Sequence, residues 1–392
     1  MRILFTSAGG RGHSDPLVPI ARAARAAGHT LAFCCRPPMA AVIEAAGFRA
    51  FTAGPAIAVL STVAPLLPLD TEGELRVLRD GFAGRGIARQ RAIEVRELCQ
   101  AWRPDVLVCD ETDFGALVAG ERLDIPYATV AVVAAGSFLR REIIAQPLNA
   151  LRAQHGLEAD PNLEMLSRYL VLVPGPPRFR DPACPLASTA HHVRPAAAEP
   201  AADEGASWIA GAAETTTVYF TLGTVFNMES GDLFERVLRG LLELPVQVVA
   251  TVGAEIDPAT FGPQPSTVRI ARYIPQSSVL PMCSAVVSHG GSGTVLGALA
   301  YGLPSVLLPM GADQPFNAGR CDALGVARVL DATACAPSDV RDAVAAVLAD
   351  PAYRERAREL RDETRALPGA LYSLALLERL AFERRPIPRA GS

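Results

Sequence analysis

Residues 284–318, SAVVSHGGSGTVLGALAYGLPSVLLPMGADQPFNA, combine an apolar strand, a glycine-rich turn, a helix and a second apolar strand. The first run, 285–287, has the β-branched content of a buried parallel strand. The glycines of HGGSGT then let the chain turn sharply, because no Cβ hinders the backbone. A helix that begins near Ser292 points its free N–H groups and its positive dipole end at this turn. The stretch therefore predicts a cradle for a nucleoside diphosphate, where His289 adds a further hydrogen-bond donor.

Apolar strand patterns alternate with alanine-rich helical patterns in two successive halves of the chain. This alternation is typical of parallel sheets with helices on both faces. We therefore predict the α/β class, with two Rossmann-like, doubly wound domains that face each other across a cleft. The predicted strands are 2–7, 30–34, 106–109, 127–133, 170–173, 217–222, 246–252, 268–271, 285–287, 305–308 and 327–330. The main predicted helices are 16–27, 88–102, 232–244 and a tail over 337–384 that is broken near Pro368.

A length of 392 residues suits two domains better than one core. The stretch RPAAAEPAADEGASWIAGAA, 194–213, loses periodicity and gathers proline, glycine and acidic residues. We predict a first domain over 1–194, a linker over 195–213 and a second domain over 214–372. A last helix within 373–392 is expected to pack back on the first domain.

Composition and charge exclude several classes of protein. The net charge is −4 and only 20% of residues are charged, so no basic surface for nucleic acid is expected. The chain starts directly with a strand pattern instead of a signal peptide, which predicts a cytoplasmic location. No apolar run reaches the roughly 18 residues of a membrane span, and stable membrane association is not expected. The eight cysteines lack CxxC spacing, so reduced thiols are the expectation.

Two residues at strand ends suggest acid–base chemistry. His13 lies in the loop SAGGRGHSDP, which follows the first strand but does not match the dinucleotide fingerprint GxGxxG. At a helix start, we expect His13 to be a neutral imidazole, because the positive dipole end opposes a second positive charge. Asp110 ends the strand 106–109 and can bond one ring nitrogen of His13, which fixes the tautomer. A substrate hydroxyl would then donate its proton to His13 and become the nucleophile.

Other polar residues are expected to be structural. Glu111 and Asp113 are interpreted as surface charges. His191 and His192 have no cysteine or acidic ligand near them in the sequence, so they are interpreted as solvent-exposed.

Six motifs together resemble the inverting GT-B glycosyltransferases. They are GGRGHSDPLVPIARAARAAGH, PDVLVCD, YFTLGT, YIPQSSVL, VSHGGSGT and GLPSVLLPMGADQPFNA, and the resemblance extends over nearly the whole chain. The group includes plant UDP-glycosyltransferases and the bacterial macrolide, glycopeptide and enediyne antibiotic glycosyltransferases. The resemblance implies a hexosyltransferase-type enzyme that acts in natural-product glycosylation.

The resemblance also implies that the first domain, 1–194, binds the acceptor and that the second domain, 214–372, binds the nucleotide sugar. It further implies roles for individual residues. His13 matches the catalytic base of the family, and Asp110 matches the acid that orients it. The positions that match donor-binding residues of the family are Gly10, Thr224, Tyr273, Ile274, Gln276, His289, Gly291, Ser292, Gly293, Thr294, Asp313 and Gln314. Of these, Tyr273 stands where a tryptophan is often found against the base, and Asp313 and Gln314 match the residues that bind the sugar.

The donor expected from the resemblance is a dTDP-sugar. The plant enzymes that use UDP-sugars place a glutamate eight residues after the histidine to hold the ribose, whereas this chain has Gly297 there. The 2′-deoxyribose of dTDP has one hydroxyl fewer to bind than ribose has, so the absence of this glutamate favours a dTDP-sugar. No DxD triplet is present, so we expect no metal and no cofactor, with backbone amides and His289 stabilising the leaving diphosphate.

The expected acceptor is a hydrophobic aglycone held by the apolar segments 53–70 and 134–148. Ordinary core packing is the alternative interpretation of both segments. Homodimer and monomer both remain open. Four alternative functions remain: a non-catalytic GT-B-like auxiliary protein, a UDP-sugar-dependent transferase, a lipid-intermediate transferase at a membrane surface, and an NAD-dependent dehydrogenase. The missing GxGxxG fingerprint disfavours the dehydrogenase.

Overall fold

Two parallel sheets, one in each half of the chain, form the framework of the protein. The computed structural model describes residues 1–56, 60, 62–84, 86–195 and 216–389. The first sheet has seven strands in the order β3-β2-β1-β4-β5-β6-β7. Its strands are β1 Arg2–Thr6, β2 Thr30–Cys35, β3 Ala50–Thr52, β4 Val106–Asp110, β5 Tyr127–Val130, β6 Leu170–Pro174 and β7 Ala190–Val193.

The second sheet repeats this arrangement with six strands in the order β10-β9-β8-β11-β12-β13. Its strands are β8 Thr217–Thr221, β9 Gln247–Thr251, β10 Val268–Ala271, β11 Ala285–Ser288, β12 Ser305–Leu307 and β13 Ala327–Val329. All of the strand pairs in both sheets are parallel. The prediction of two doubly wound α/β domains is therefore confirmed.

Helices cover both faces of each sheet. The first half contains α1 Arg11–Ser14, α2 Val18–Ala26, α3 Ala40–Ala45, α4 Thr71–Arg76, α5 Ile87–Trp102, α6 Phe114–Arg122 and α7 Arg141–Gln154. The second half contains α8 Leu233–Leu242, α9 Gln276–Val279, α10 Ser292–Ala300, α11 Gln314–Ala323, α12 Pro337–Ala349, α13 Pro351–Ala366 and α14 Ala370–Glu383. Apolar residues at i, i+3 and i+4 direct these helices to the sheets, as in α8, where Leu233, Val237 and Leu241 are fully buried.

Several predicted boundaries differ from those in the structure. The predicted helix 16–27 consists of a 3-10 turn over Asp15–Leu17 and then α2, and the short helix α1 precedes it. The predicted tail is three helices, because the chain leaves the helical conformation at Asp350 as well as before α14. The strands β3 and β7 were not predicted. Apart from Pro195, the predicted linker 195–213 lies outside the described residues.

The last helix, α14, packs against the first domain. Leu374, Leu377 and Leu380 belong to the same apolar core as Ile3 and Phe5 of β1. The prediction that His191 and His192 are exposed is wrong, because both lie in β7: His191 faces the C-terminal segment, and the half-buried His192 has Nδ1 2.9 Å from Gly175 O. The ring of His191 is 5% exposed and lies within 2.9 Å of both the Tyr372 hydroxyl and the Ile387 carbonyl.

The two domains touch on both sides of a cleft. A shared apolar cluster joins Ala134, Ala135 and Phe179 of the first domain to Val295 and Leu296 of α10. On the other side, the segment before α4 reaches the second domain, where the Ala64 amide donates to Met228 O at 2.7 Å and the Gly231 amide donates to Ala64 O at 3.0 Å. Within the described residues, no helix is long and apolar enough to cross a membrane.

Candidate active site

The predicted functional residues cluster at the two points where strand order reverses. In the first sheet the order reverses between β1 and β4, and in the second between β8 and β11. Ligands of open α/β sheets bind outside the carboxyl ends of strands at such points. His13 follows β1 and Asp110 ends β4, while His289 follows β11. The fold therefore places the candidate base and the candidate phosphate cradle at equivalent positions of the two domains.

His13, Asp110 and Thr112 form a compact polar cluster. The Nδ1 atom of His13 lies 3.4 Å from Asp110 Oδ1 and 3.2 Å from Thr112 Oγ1. Asp110 is fully buried, whereas the His13 side chain keeps 25% of its surface exposed. Oδ2 of Asp110 accepts a hydrogen bond from the Ala8 amide at 2.7 Å. Since Nδ1 is used by this cluster, Nε2 is the nitrogen of His13 that a substrate can approach.

Close packing holds the His13 ring in this position. One face stacks on Phe82, with 5.8 Å between ring centroids and 12° between the planes. The other neighbour is Gly9, where a Cβ would lie only 2.1 Å from His13 Cδ2. A side chain larger than that of glycine at position 9 would displace the imidazole.

The electrostatic state of His13 differs from the sequence prediction. Burial lowers the pKa of His13, but the charge of the nearby Asp110 carboxylate outweighs burial, so that the pKa is raised above 6.5. Burial tends to raise the pKa of Asp110, but the charge of His13 and the hydrogen bonds from Thr112 and the Ala8 amide outweigh burial, so that the pKa is lowered. The expected bias of His13 toward the neutral form by a helix dipole is opposite in direction to this shift, since α1 has only four residues and a carboxylate lies close to the ring.

This raised pKa predicts a pH dependence of the reaction. A general base must be unprotonated, so the activity should be lost as pH falls through the pKa of His13. We expect kcat/KM to fall on the acidic side with a midpoint above 6.5, the ordinary value of this group. In Asp110→Asn, which lacks the carboxylate charge, the midpoint should move to lower pH. A wild-type midpoint below that of Asp110→Asn contradicts this assignment.

The turn after β11 forms a glycine-lined cradle around His289. Gly290 has φ +87°, a conformation that favours glycine, and Gly291 precedes α10 without any side-chain cap. A Cβ at Gly291 would lie 2.4 Å from His289 Nε2, and one at Gly223 would lie 2.5 Å from the same atom. The free N–H groups at the start of α10 and the Nε2 atom thus surround a space without side chains, which suits an anion.

His289 is neutral at physiological pH. Burial lowers its pKa to about 4, although the nearby Thr221 backbone opposes this shift. Its Nδ1 atom makes no hydrogen bond of ordinary geometry to the parts of the chain that the structure describes, so the Thr221 contact is a weak one. A neutral imidazole carries a single N–H. Because Nε2 is the ring nitrogen directed toward the cradle, His289 donates to an anion there when the proton is on Nε2.

Ser292 and Asp313 form a hydrogen-bond network that links the domains. The Ser292 hydroxyl donates to Asp313 Oδ2 at 2.6 Å and accepts from the Ala134 amide of the first domain at 2.7 Å. Asn317 completes the network with Nδ2 at 2.8 Å from Asp313 Oδ2 and Oδ1 at 3.1 Å from the Ala135 amide. The side chain of Ser292 is therefore engaged in joining the domains, and its backbone amide remains for a phosphate.

Removal of the Ser292 hydroxyl should weaken this link. Ser292→Ala leaves the Ala134 amide and Asp313 each without one partner, and buried groups left unpaired cost about 1–3 kcal/mol. We expect a lower midpoint of thermal unfolding and a higher KM for the donor. Ser278→Ala on α9, outside the network, serves as the control. Equal unfolding midpoints of the two variants would show that the network does not stabilise the protein.

The remaining predicted residues surround the cradle. Ile274 is buried, and Gln276 Nε2 donates to Thr294 Oγ1 at 3.0 Å. Gln314 Oε1 accepts from the Met310 amide at 2.8 Å, which positions the loop before Asp313. Thr224 and Gly293 are exposed.

Tyr273 and Gly10 lie where the domains approach each other across the cleft. The Tyr273 side chain is 54% exposed, and the Arg11 guanidinium of the first domain lies 4.7 Å from its ring centroid. A Cβ at Gly10 would lie 3.8 Å from Val225 of the second domain.

Sequence reasoning missed several residues of the site. Thr112 follows Asp110 by two residues, and this proximity was the available signal. Phe82 belongs to a π-helical turn over Val77–Phe82, and no sequence pattern placed it against His13.

The interpretation of Glu111 and Asp113 as surface charges is wrong. Asp113 is fully buried in an ion pair with Arg91, at 2.5 Å. Glu111 is 9% exposed and accepts from the Val132 and Val133 amides at 2.7 Å each. Burial raises the pKa of Glu111, and these amides together with Arg180 partly offset the effect.

Comparison with known proteins shows what this chain is similar to. Residues 235–371 match the family model described as erythromycin biosynthesis protein CIII-like, C-terminal domain. The whole chain is similar to 3-alpha-mycarosylerythronolide B desosaminyl transferase of Saccharopolyspora erythraea, with 27% identity over 98% of this chain and 99% of the relative. The chain is a relative of the antibiotic glycosyltransferases. Its resemblance to this group and the predicted enzyme class, a hexosyltransferase-type glycosyltransferase, are confirmed.

A second relative and a solved structure are also similar to this glycosyltransferase over nearly the whole chain. L-demethylnoviosyl transferase of Streptomyces niveus is 28% identical over 100% of both chains. The solved structure of spinosyn rhamnosyltransferase SpnG complexed with thymidine diphosphate superposes with a TM-score of 0.75 at 25% identity, covering 96% of this chain and all of the other. The predicted GT-B fold is thereby confirmed.

Proposed function

We propose that this glycosyltransferase moves a deoxysugar from a dTDP-linked donor to a hydroxyl group of a lipophilic natural-product aglycone. The observation that carries the proposal is the His13–Asp110 pair, which stands at one strand reversal while the glycine cradle stands at the other. Asp313, a matched sugar-binding position, accepts a hydrogen bond from Ser292 Oγ, which in turn accepts from the Ala134 amide of the first domain. The sugar position of the second domain therefore lies next to the first domain.

The proposed reaction is a single displacement with inversion. The acceptor hydroxyl gives its proton to Nε2 of His13, and its oxygen forms a bond to the anomeric carbon. The bond from that carbon to the diphosphate oxygen breaks, and the electron pair leaves with dTDP. Asp110 stabilises the imidazolium, and the amides of the cradle with His289 stabilise the leaving group without a metal.

The donor class rests on two observations. SpnG, a structural relative, has been solved with thymidine diphosphate. At the position of the ribose-binding glutamate of UDP-sugar enzymes, this chain has Gly297, which is buried within α10. The transfer of a deoxysugar is supported by the desosaminyl transferase among its relatives.

The acceptor class is supported by apolar side chains beside His13, between the domains and on the surface of the first domain. Phe82 stacks on the imidazole, and Phe138 packs at 5.9 Å from Phe316 across the domains. The segment 53–70, of which residues 57–59 and 61 lie outside the described residues, carries Leu67 with 73% of its surface exposed. A planar or hydrophobic acceptor can pack against such side chains.

Titration calorimetry with dTDP, UDP, GDP and NADH, each with and without magnesium, tests the donor proposal. We expect dTDP to bind more tightly than UDP, with no change on addition of magnesium. Tighter binding of UDP contradicts the donor class, and a magnesium requirement contradicts the metal-free cradle. If no nucleotide binds, an auxiliary protein without catalytic activity becomes the better description. If NADH alone binds, the result favours an NAD-dependent dehydrogenase instead.

A further inference from the structure

Thr112 lies between the candidate base and the acid that orients it. Its hydroxyl is 2.6 Å from Asp110 Oδ1 and 3.2 Å from His13 Nδ1. Its amide donates to the same Oδ1 at 2.7 Å. Thr112 is 4% exposed, so water does not compete for these contacts.

The direction of each hydrogen bond follows from the chemistry of the groups. The Asp110 carboxylate only accepts, so the single hydroxyl proton of Thr112 is directed to it. The lone pairs of Thr112 Oγ1 then remain for a donor, and His13 Nδ1–H is the group within reach. The direct distance from His13 Nδ1 to Asp110 Oδ1 is 3.4 Å, longer than an ordinary hydrogen bond. Oδ1 already accepts two shorter bonds from Thr112.

We propose that Thr112 is a positioning residue, whose hydroxyl accepts from His13 Nδ1 and passes the orienting effect of Asp110 to the base. In this arrangement the Nδ1–H tautomer is the only one that satisfies the cluster, so Nε2 stays unprotonated for the acceptor hydroxyl. The inference rests on the proposed role of His13 as the base. It adds a third member to the pair found from the sequence.

Three variants test the inference. Thr112→Val keeps the shape of the side chain but removes its hydroxyl, and Thr112→Ser keeps the hydroxyl. We expect kcat of Thr112→Val to fall about tenfold to 100-fold, the rate equivalent of one hydrogen bond to a charged group. Thr112→Ser should retain activity within about threefold of wild type, less than the effect of one such bond. Thr129→Val, which removes the hydroxyl of another buried threonine, controls for packing.

Calorimetry and NMR separate positioning from folding. All variants should bind dTDP with the wild-type dissociation constant, because the cradle lies in the other domain. In protein labelled with ¹⁵N-histidine, the neutral His13 ring should carry its proton on Nδ1, and Thr112→Val should show both tautomers. Assignment of the signal follows from its loss in His13→Ala.

The outcomes distinguish this inference from the proposed function. Wild-type kcat in Thr112→Val, or an equal loss in Thr112→Ser, overturns the role of the hydroxyl even if His13→Ala is inactive. An Nε2–H tautomer of His13 in the wild-type protein overturns it without any activity measurement. Full activity of His13→Ala instead overturns the role of His13 as the base.

Discussion

Replacement of His13 by alanine should lower kcat by about 100-fold to 10,000-fold, the usual contribution of a general base. Without the imidazole, no other group of the described cluster can take the proton of the acceptor hydroxyl. Asp110 is fully buried and already holds the Ala8 and Thr112 donors. The dissociation constant of dTDP should stay within about twofold of wild type. His13 lies in the first domain and the cradle lies in the second, so the substitution leaves the donor site in place.

Steady-state kinetics with a saturating dTDP-sugar, together with calorimetry, measure these two quantities. His155→Ala is the matched control, because this histidine lies at the end of α7, away from the cleft. Asp110→Asn should cause a smaller loss than His13→Ala, since it leaves the base in place but removes the charge that stabilises the imidazolium. Turnover by His13→Ala at the wild-type rate would falsify the assignment of the base.

The fold could be predicted well from the sequence because its strands are buried on both faces. Continuous apolar runs such as Val106–Asp110 give a strong signal that does not depend on the neighbouring elements. The short strands β3 and β7 gave no such signal. In β7 the pair His191 and His192 looks polar, and the packing of α14 and the residues after it explains the burial of His191. That packing joins residues about 180 positions apart, as His191 and Tyr372 show.

The site was predictable in part for a similar reason. His13, Asp110 and His289 follow strands at the two reversals, so topology alone brings them to the cleft. The electrostatics were not predictable in this way. The pKa of His13 depends on competition between burial and the Asp110 charge, and the sequence does not show their relative size. The role of the Ser292 side chain depends on the Ala134 amide of the other domain, whose position the sequence also does not show.

Gly291 in the cradle is the site of the second large expected effect. Its backbone, with φ −63° and ψ 144°, is accessible to any residue, so Gly291→Ala introduces no backbone strain. The new Cβ would lie 2.4 Å from His289 Nε2, a separation that two non-bonded atoms do not tolerate. Either the His289 ring or the start of α10 must move, and both supply donors to the proposed diphosphate site.

We expect Gly291→Ala to weaken dTDP binding about 100-fold, roughly 2.7 kcal/mol, as the loss of a hydrogen bond to a charged group combines with overpacking. Titration calorimetry measures the effect directly. Gly319→Ala on α11 is the control, since a Cβ there meets no atom within 4 Å and should leave binding unchanged. His289→Ala removes the crowding partner as well as the donor, so Gly291→Ala combined with it should bind dTDP no more weakly than His289→Ala alone. If Gly291→Ala binds dTDP as tightly as Gly319→Ala does, the diphosphate does not occupy the space between α10 and His289.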